Sequence, residues 1–318
     1  MKTPASLLFL GICGFAVQTA FAYPVTVQSC GKPVTITHQP EHAVIHDVNM
    51  AEMAFALHLQ PYIRGLTGIS GWNKYTPGFK AQQGDIPEIA THYPSLEQLL
   101  DAGTDFFFAG WNYGMHVGGD VTPETLAIQG VPTLVLSESC FRAGQSTALP
   151  TLDLLYGDEE KLGQVFGREQ QARQLVESWQ RRVQHIQDRL KGHHPLRVFL
   201  YDSGRDRPFT AGQYALATEL IRLGGGENIF RDLPTNWGAA SWENAGLRDP
   251  EAILVMDYGA GVSDSLKFLR SQPLLMESTA LKTNRILVVR YDEMTPSPAN
   301  IDVIDKIAAF LHPDAAPR

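Results

Sequence analysis

The stretch Arg168–Lys191, "REQQARQLVESWQRRVQHIQDRLK", decides how the rest of the chain is read. Its apolar residues Ala172, Leu175, Val176, Trp179, Val183, Ile186 and Leu190 recur every three or four positions, and no glycine or proline follows until Gly192 and Pro195. That spacing predicts a single amphipathic helix of about 24 residues, roughly 36 Å long. It lies in the middle of the chain, and the sequence on either side has a different rhythm. The helix is therefore expected to join two separately folded halves.

Working outward toward the N-terminus, "AVIHD", "YIRGLTG", "TDFFFAG" and "VPTLVLS" are short β-rich runs bounded by Gly, Pro, Asn or Asp. "MAEMAFALHL" and "SLEQLLDAG" between them carry helical spacing, the second with Ser95 as N-cap and Gly103 as stop. "VTVQSCGKPVTITHQP" ahead of them predicts a hairpin. Beyond the central helix the alternation restarts: "RVFLYDSG", "AILVMDYG" and "RILVVRYDEM" are expected strands, and "ALATELIRLGGGENIF", "DSLKFLRSQPLLM" and "NIDVIDKIAAFLH" expected helices. Apolar strands alternating with helices indicate mostly parallel sheets covered on both faces. The expected fold class is α/β, with a lobe over 23–157, a helical segment with the long linking helix over 158–194, and a second lobe over 195–318.

The first 22 residues have a different purpose. Lys2, the apolar run "SLLFLGICGFAV" and the small residues Ala20 and Ala22 match a cleavable export signal. Ile12 before Cys13 is too large for a lipoprotein cleavage site. The chain carries 26 basic and 34 acidic side chains, a formal net charge of −8, and loss of Lys2 makes the exported product more acidic. That balance argues against nucleic acid or an anionic membrane surface as partner, and no further apolar run reaches the length of a membrane span. Two cysteines remain after cleavage, Cys30 and Cys140. In an oxidising compartment they are expected to pair, with two buried thiols as the alternative.

In a parallel α/β sheet, ligands bind at the carboxyl ends of the strands. "TDFFFAG" is an expected buried strand, and "WNYGMH" directly after it is the loop leaving that end. Other expected strands end in similar material. Collected at one face, Asn49, Trp72, Tyr75, Trp111, Asn112, Tyr113, His116, Arg205, Arg207, Trp237 and Tyr258 make the expected ligand-binding set, an aromatic cleft with a few charges. Trp111 or Tyr113 alone serves equally well as a plug at a lobe edge, and Arg205 and Arg207 equally well as solvated loop residues. Trp179 and Trp242, inside helical patterns, belong to the core. No catalytic residues are assigned: "LGGGENI" lacks a dinucleotide fingerprint and is explained by a helix stop, while "YDSG" and "GAASWEN" lack the spacing of a nucleophile elbow.

The opening "YPVTVQSCGKPVTITHQPEHAVIHDVNMAEMAFALHL" resembles the start of the periplasmic substrate-binding proteins of iron-siderophore, heme and cobalamin ABC importers. The likeness continues through "PSLEQLLDAGTDFFFAG", its counterpart "WENAGLRDPEAILVM" and "LGGGENIF", covering nearly the whole exported chain. The resemblance implies two α/β lobes on one rigid helix, a ligand clamped between them with small hinge motion, and delivery to an inner-membrane permease dimer and its ATPase. It implies permease docking for Glu97 and Glu243, and a Cys30–Cys140 bridge between the hairpin and the loop after the fourth strand. It further implies a periplasmic monomer without a cofactor, its ligand a small-molecule metal chelate. A ferric siderophore is expected, with a corrinoid or heme as alternative, a bare metal ion less so, and a secreted hydrolase as a remote rival. Ten histidines without a spaced pair speak against a bare ion.

Overall fold

The computed structural model describes residues 23–315 except 73 and 260. The expected export signal, 1–22, lies outside the described residues. The first lobe opens with an antiparallel hairpin, Val25–Ser29 on Lys32–Ile36. Its turn places Cys30 and Gly31 at positive φ. A parallel sheet follows, ordered Glu88–Ala90, Ile63–Thr67, Ala43–His46, Phe106–Trp111, with Thr133–Val135 on the outer side of Phe106–Trp111. Phe106, Phe107 and Phe108 are fully buried because helices cover both sheet faces. Phe106 and Phe108 enter the main core, and Phe107 packs on the other face with Leu99, Leu126 and Trp111.

The second lobe repeats the plan with a parallel sheet ordered Gly226–Asn228, Leu196–Tyr201, Ala252–Asp257, Ile286–Arg290. It adds a short antiparallel ribbon, Phe209–Ala211 on Trp237–Ala239, which no local pattern announces. "RILVVRYDEM" is strand only as far as Arg290. Tyr291–Met294 turns into one helical turn, tied back by Glu293 Oε2 accepting from Arg290 N at 2.7 Å and by the Arg290–Asp292 pair.

The linking helix runs Glu169–Arg189, 21 residues, and buries Ala172, Val176, Trp179, Val183 and Ile186. It starts one residue inside the expected stretch and ends two before its close. A second helix, Asp153–Val165, runs beside it. The two approach so closely that a Cβ on Gly163 would stand 2.6 Å from Ala172 Cβ. Trp179 stacks on Tyr156 of that helix at 6.4 Å, as a core residue. Toward the second lobe, Arg182 pairs with Asp302 at 2.5 Å and Arg189 with Asp305, both acids on the final helix Ala299–Leu311. One rod is thus fastened to both lobes. Cys30 and Cys140 are joined as a disulfide, 5.4 Å between Cα atoms and 110 residues apart in sequence.

Candidate ligand cleft

Each lobe delivers cleft residues from the carboxyl ends of its strands. Ala43–His46 runs into Asp47, whose backbone, φ 68° and ψ 157°, occupies a region normally reserved for glycine. Three bonds hold that conformation. The Asp47 carboxylate accepts from Val48 N at 2.8 Å, from Lys74 Nζ at 2.9 Å and from the Tyr291 hydroxyl of the other lobe at 2.8 Å. Burial on its own would raise the Asp47 pKa, but Lys74, His46 and these hydrogen bonds outweigh it and hold the carboxyl below its ordinary range. The Lys74 ammonium also lies over the rings of Trp72, at 4.8 Å, and Tyr291, at 3.8 Å.

Phe106–Trp111 ends in a tight reversal at Asn112, φ 61°, closed by Asn112 N donating to Met115 O at 2.7 Å. The reversal brings Asn112 and Tyr113 to the cleft. Thr133–Val135 leads into a short turn, Ser137–Ala143, that does several things at once. Glu138 crosses to the second lobe and accepts from Leu216 N at 3.1 Å. Cys140 carries the disulfide, and Phe141 stacks on Tyr214 at 4.1 Å. Arg142 lines the cleft, and among the described residues its guanidinium makes no hydrogen bond or ion pair. Burial pushes Glu138 up to about 7, against the lowering influence of Leu216 N–H, Arg142 and Tyr113. Beneath the floor, burial pushes His46 down to about 4.

From the second lobe, Leu196–Tyr201 delivers Asp202, Ala252–Asp257 delivers Tyr258, and the antiparallel ribbon delivers Phe209 and Trp237. Asp202 accepts from the Tyr258 hydroxyl and from Ser203 Oγ at 2.7 Å. Burial raises the pKa of both Asp202 and Tyr258. The cavity between the lobes measures about 530 Å³. Its first-lobe wall is Asp47, Trp72, Lys74, Tyr93, Asn112, Tyr113 and Arg142, and its second-lobe wall is Asp202, Phe209, Trp237, Met256, Tyr258, Tyr291 and Thr295.

Of the expected ligand-binding set, Trp72, Asn112, Tyr113, Trp237 and Tyr258 line this cavity and the other six do not. Asn49 is buried and donates to Pro296 O at 3.0 Å, tying the lobes together behind the cleft. Tyr75 packs on the core with Lys80 over its ring at 4.5 Å. Trp111 projects from the opposite sheet face, beside Phe107 and Cys140, because alternation along Phe106–Trp111 sets both on that side. His116 is one layer removed, packed on Tyr93 at 4.6 Å and bonded to Asn112 Oδ1 at 3.2 Å. Arg205 lies over Phe268 at 5.4 Å, and Arg207 donates to the carbonyls of Ala239 and Ala240. Asp47, Lys74, Tyr93, Arg142 and Asp202 went unread. A strand-end rule carried further would have found Asp47 and Asp202, which directly follow strands. Nothing local marks Arg142.

Glu97 and Glu243 occupy matching places outside the cleft. Each is the second residue of a short helix, Leu96–Asp101 and Trp242–Leu247, and each is exposed. Ser95 and Ser241 cap these helices, their hydroxyls accepting from Gln98 N and Asn244 N, both at 3.1 Å.

Two α/β lobes on a rigid helical linker, with one aromatic cavity between them, define a solute-binding protein of the single-helix-linked class. The family described as "Periplasmic binding protein" matches residues 65–292, more than half of the chain, and the chain belongs to that family. A Vitamin B12-binding protein of Yersinia pestis (strain Pestoides F) is 35% identical over 104 residues, 33% of this chain and 37% of that protein, so the likeness spans little more than a third of the relative. Among solved structures, a periplasmic binding protein from Veillonella parvula superposes with a TM-score of 0.78 at 23% identity, covering 91% of this chain and 97% of that one. An ABC-type Fe3+-hydroxamate transport system structure from Saccharomonospora viridis superposes with a TM-score of 0.77 at 20% identity, covering 92% and 100%. At these identities the two structures speak to the fold alone.

Proposed function

We propose that this chain is the periplasmic receptor of an ABC importer, capturing a negatively charged ferric siderophore between its lobes and handing it to an inner-membrane permease and its ATPase. The observation that carries the ligand class is Arg142. Lys74 is neutralised by Asp47, and Asp202 is held by Tyr258 and Ser203, whereas Arg142 lines the cavity and, among the described residues, its guanidinium makes no hydrogen bond or ion pair. A guanidinium in a largely apolar cleft favours a ligand carrying carboxylate, catecholate or similar oxygens. The rings of Trp72, Tyr93, Trp237 and Tyr258 then pack on the organic shell of the chelate. A bare ion needs several converging ligands. Among the described residues no group of three or more His, Cys, Asp or Glu gathers to supply them, which favours a preformed chelate.

A second reading, a corrinoid, is favoured by the similarity to the Yersinia Vitamin B12-binding protein and by the number of rings in the cleft. Glu97 and Glu243 act as the docking pair for the permease, two exposed carboxylates at matching points of the two lobes. The test is a tryptophan-fluorescence titration of the mature protein against ferric hydroxamates, catecholates and carboxylates, with cyanocobalamin, hemin and free metal ions alongside. Trp72 and Trp237 stand on opposite walls, so a bound chelate should quench both. Submicromolar binding of a ferric siderophore class supports the proposal. Binding of cyanocobalamin or hemin alone replaces the ligand while leaving the transport role, and silence from every ligand contradicts the receptor reading.

A further inference from the structure

We infer that Glu138 sets the charge selectivity of the cleft. Ionised, it shares the field of Arg142 with an anionic cargo and repels that cargo; protonated, it leaves the guanidinium to the cargo alone. This rests on the reading of Arg142 as the group that attracts an anionic chelate. Glu138 is a positioning residue in that scheme, because it acts on the cargo through Arg142.

The two side chains belong to one short turn, Ser137–Ala143, four residues apart. Arg142 lines the cavity, and its Nε is buried with no hydrogen-bond partner among the described residues. Glu138 stands behind that wall, 3% exposed. Its Oε1 accepts from Leu216 N of the second lobe at 3.1 Å, while its Oε2 is buried and makes no hydrogen bond among the described residues. A buried carboxylate with so few bonds is costly to keep charged. Burial accordingly pushes Glu138 up to about 7, and the Leu216 N–H, Arg142 and Tyr113 pull it down, so both forms are populated near neutral pH. Burial also keeps Tyr113 neutral by raising its hydroxyl well above its ordinary value. Of the other titratable groups on the elements packed here, Asp158 is bonded to Ser137 and paired with Lys161 at 2.8 Å, Glu159 responds to burial and to Asp158, and Glu219 pairs with Arg222 at 2.6 Å.

An anion brought against Arg142 in this largely apolar cleft adds a like charge near Glu138. Two like charges in a dry site are costly, so cargo binding draws a proton from solvent onto the Glu138 carboxylate. By reciprocity, loss of that proton weakens cargo binding by the same factor. A neutral cargo packed on the rings carries no such penalty. Affinity for an anionic chelate should therefore fall as pH rises through neutrality, and affinity for a neutral chelate should stay level.

The experiment titrates wild type and Glu138→Gln with a ferric siderophore bearing free carboxylates and with a neutral ferric trihydroxamate, at about pH 5.5 and about pH 8.5, on either side of the Glu138 midpoint. Wild type should lose about tenfold for the charged chelate across that span and Glu138→Gln less than about twofold, with no loss for the neutral chelate. A second readout needs no cargo. The infrared band of the protonated Glu138 carboxyl, identified by its absence from Glu138→Gln, should titrate about one pH unit higher in Arg142→Gln than in wild type. A midpoint that Arg142→Gln leaves in place refutes the coupling. Equal losses for the two chelates would assign Glu138 to lobe closure through Leu216 and overturn the inference, as would equal losses of the charged chelate by wild type and Glu138→Gln. If the midpoint moves but neither chelate binds, the ligand reading is what has failed, and the claim on cargo falls with it. The comparison of the two chelates on wild type stands without either variant.

Discussion

The two walls of the cleft are built on the same plan and furnished differently. The first lobe brings the charges, Asp47, Lys74 and Arg142, together with Trp72, Tyr93 and Tyr113, whereas the second brings Phe209, Trp237, Met256, Tyr258 and Tyr291 and one acid, Asp202, already bonded to Tyr258. The contrast recurs in the covalent structure, because the disulfide staples only the first lobe. Strand ends set where residues collect, but loop sequence sets what they are, so related halves are furnished differently: one wall carries most of the charge and the other mostly rings.

The sharpest way to break this comparison is at the docking pair, where the lobes are expected to act alike. Glu97→Ala/Glu243→Ala should abolish uptake in cells while leaving cargo affinity as it is, and a parallel loss of affinity would remove both residues from the docking role. Next in size is the staple. Cys30→Ser/Cys140→Ser opens a loop spanning 110 residues and should cost about 5 kcal/mol of first-lobe stability in the chain-entropy model. Hydrogen exchange resolved by lobe would show protection falling in the first and holding in the second. Equal loss in both would mean that the lobes unfold as one unit.

Trp111 and Trp237 give a contrast within one residue type. Trp111→Ala should destabilise the first lobe by about 3 kcal/mol and leave cargo affinity unchanged, since the ring lies on the sheet face away from the cavity. Trp237→Ala should weaken cargo binding by about 1 kcal/mol or more. The opposite pattern in melting and titration experiments would return Trp111 to the ligand.

A further effect concerns pH. Glu138, ordinarily near 4.5, is pushed up to about 7 by burial. The folded state therefore holds this proton more tightly than the unfolded chain. The stability it contributes is complete below about 4.5 and is lost as pH rises through 7. Glu138→Gln keeps an acceptor for Leu216 N and removes that slope, so the variant should gain on wild type by roughly 2 kcal/mol between pH 5 and pH 8. His46, pushed down to about 4, acts with the opposite sign, its contribution present above 6.5 and lost as pH falls toward 4. A stability difference between Glu138→Gln and wild type that is the same at both pH values would show that Glu138 is ionised like an ordinary glutamate.

The architecture was legible in the sequence wherever one periodicity governs many residues. The apolar stripe from Ala172 to Ile186 announces the linker, and the phenylalanine run at 106–108 announces a strand buried on both faces. The cleft was legible only in part. Tyr113 follows from its place in the loop after a strand and Trp237 from its place after a helix, though Trp237 lies in the antiparallel ribbon; Trp111 belongs to the strand, and its alternation with Phe107 carries it to the far face. Arg205 and Arg207 have the right charge in the wrong place, held by a ring and by two carbonyls of their own lobe. Asp47, Lys74 and Tyr291 meet because two lobes close on each other, and no local pattern encodes a contact between residues 244 positions apart.

The most direct test of the proposed charge-reading by the first lobe is a pair of dissociation constants. Wild type and Arg142→Gln would each be titrated with a ferric siderophore bearing free carboxylates and with a neutral ferric trihydroxamate of similar size. The account predicts that the variant loses about tenfold or more for the charged chelate and is unchanged for the neutral one. An equal loss for both, or no loss for either, would contradict the claim that the first lobe reads the charge of the cargo.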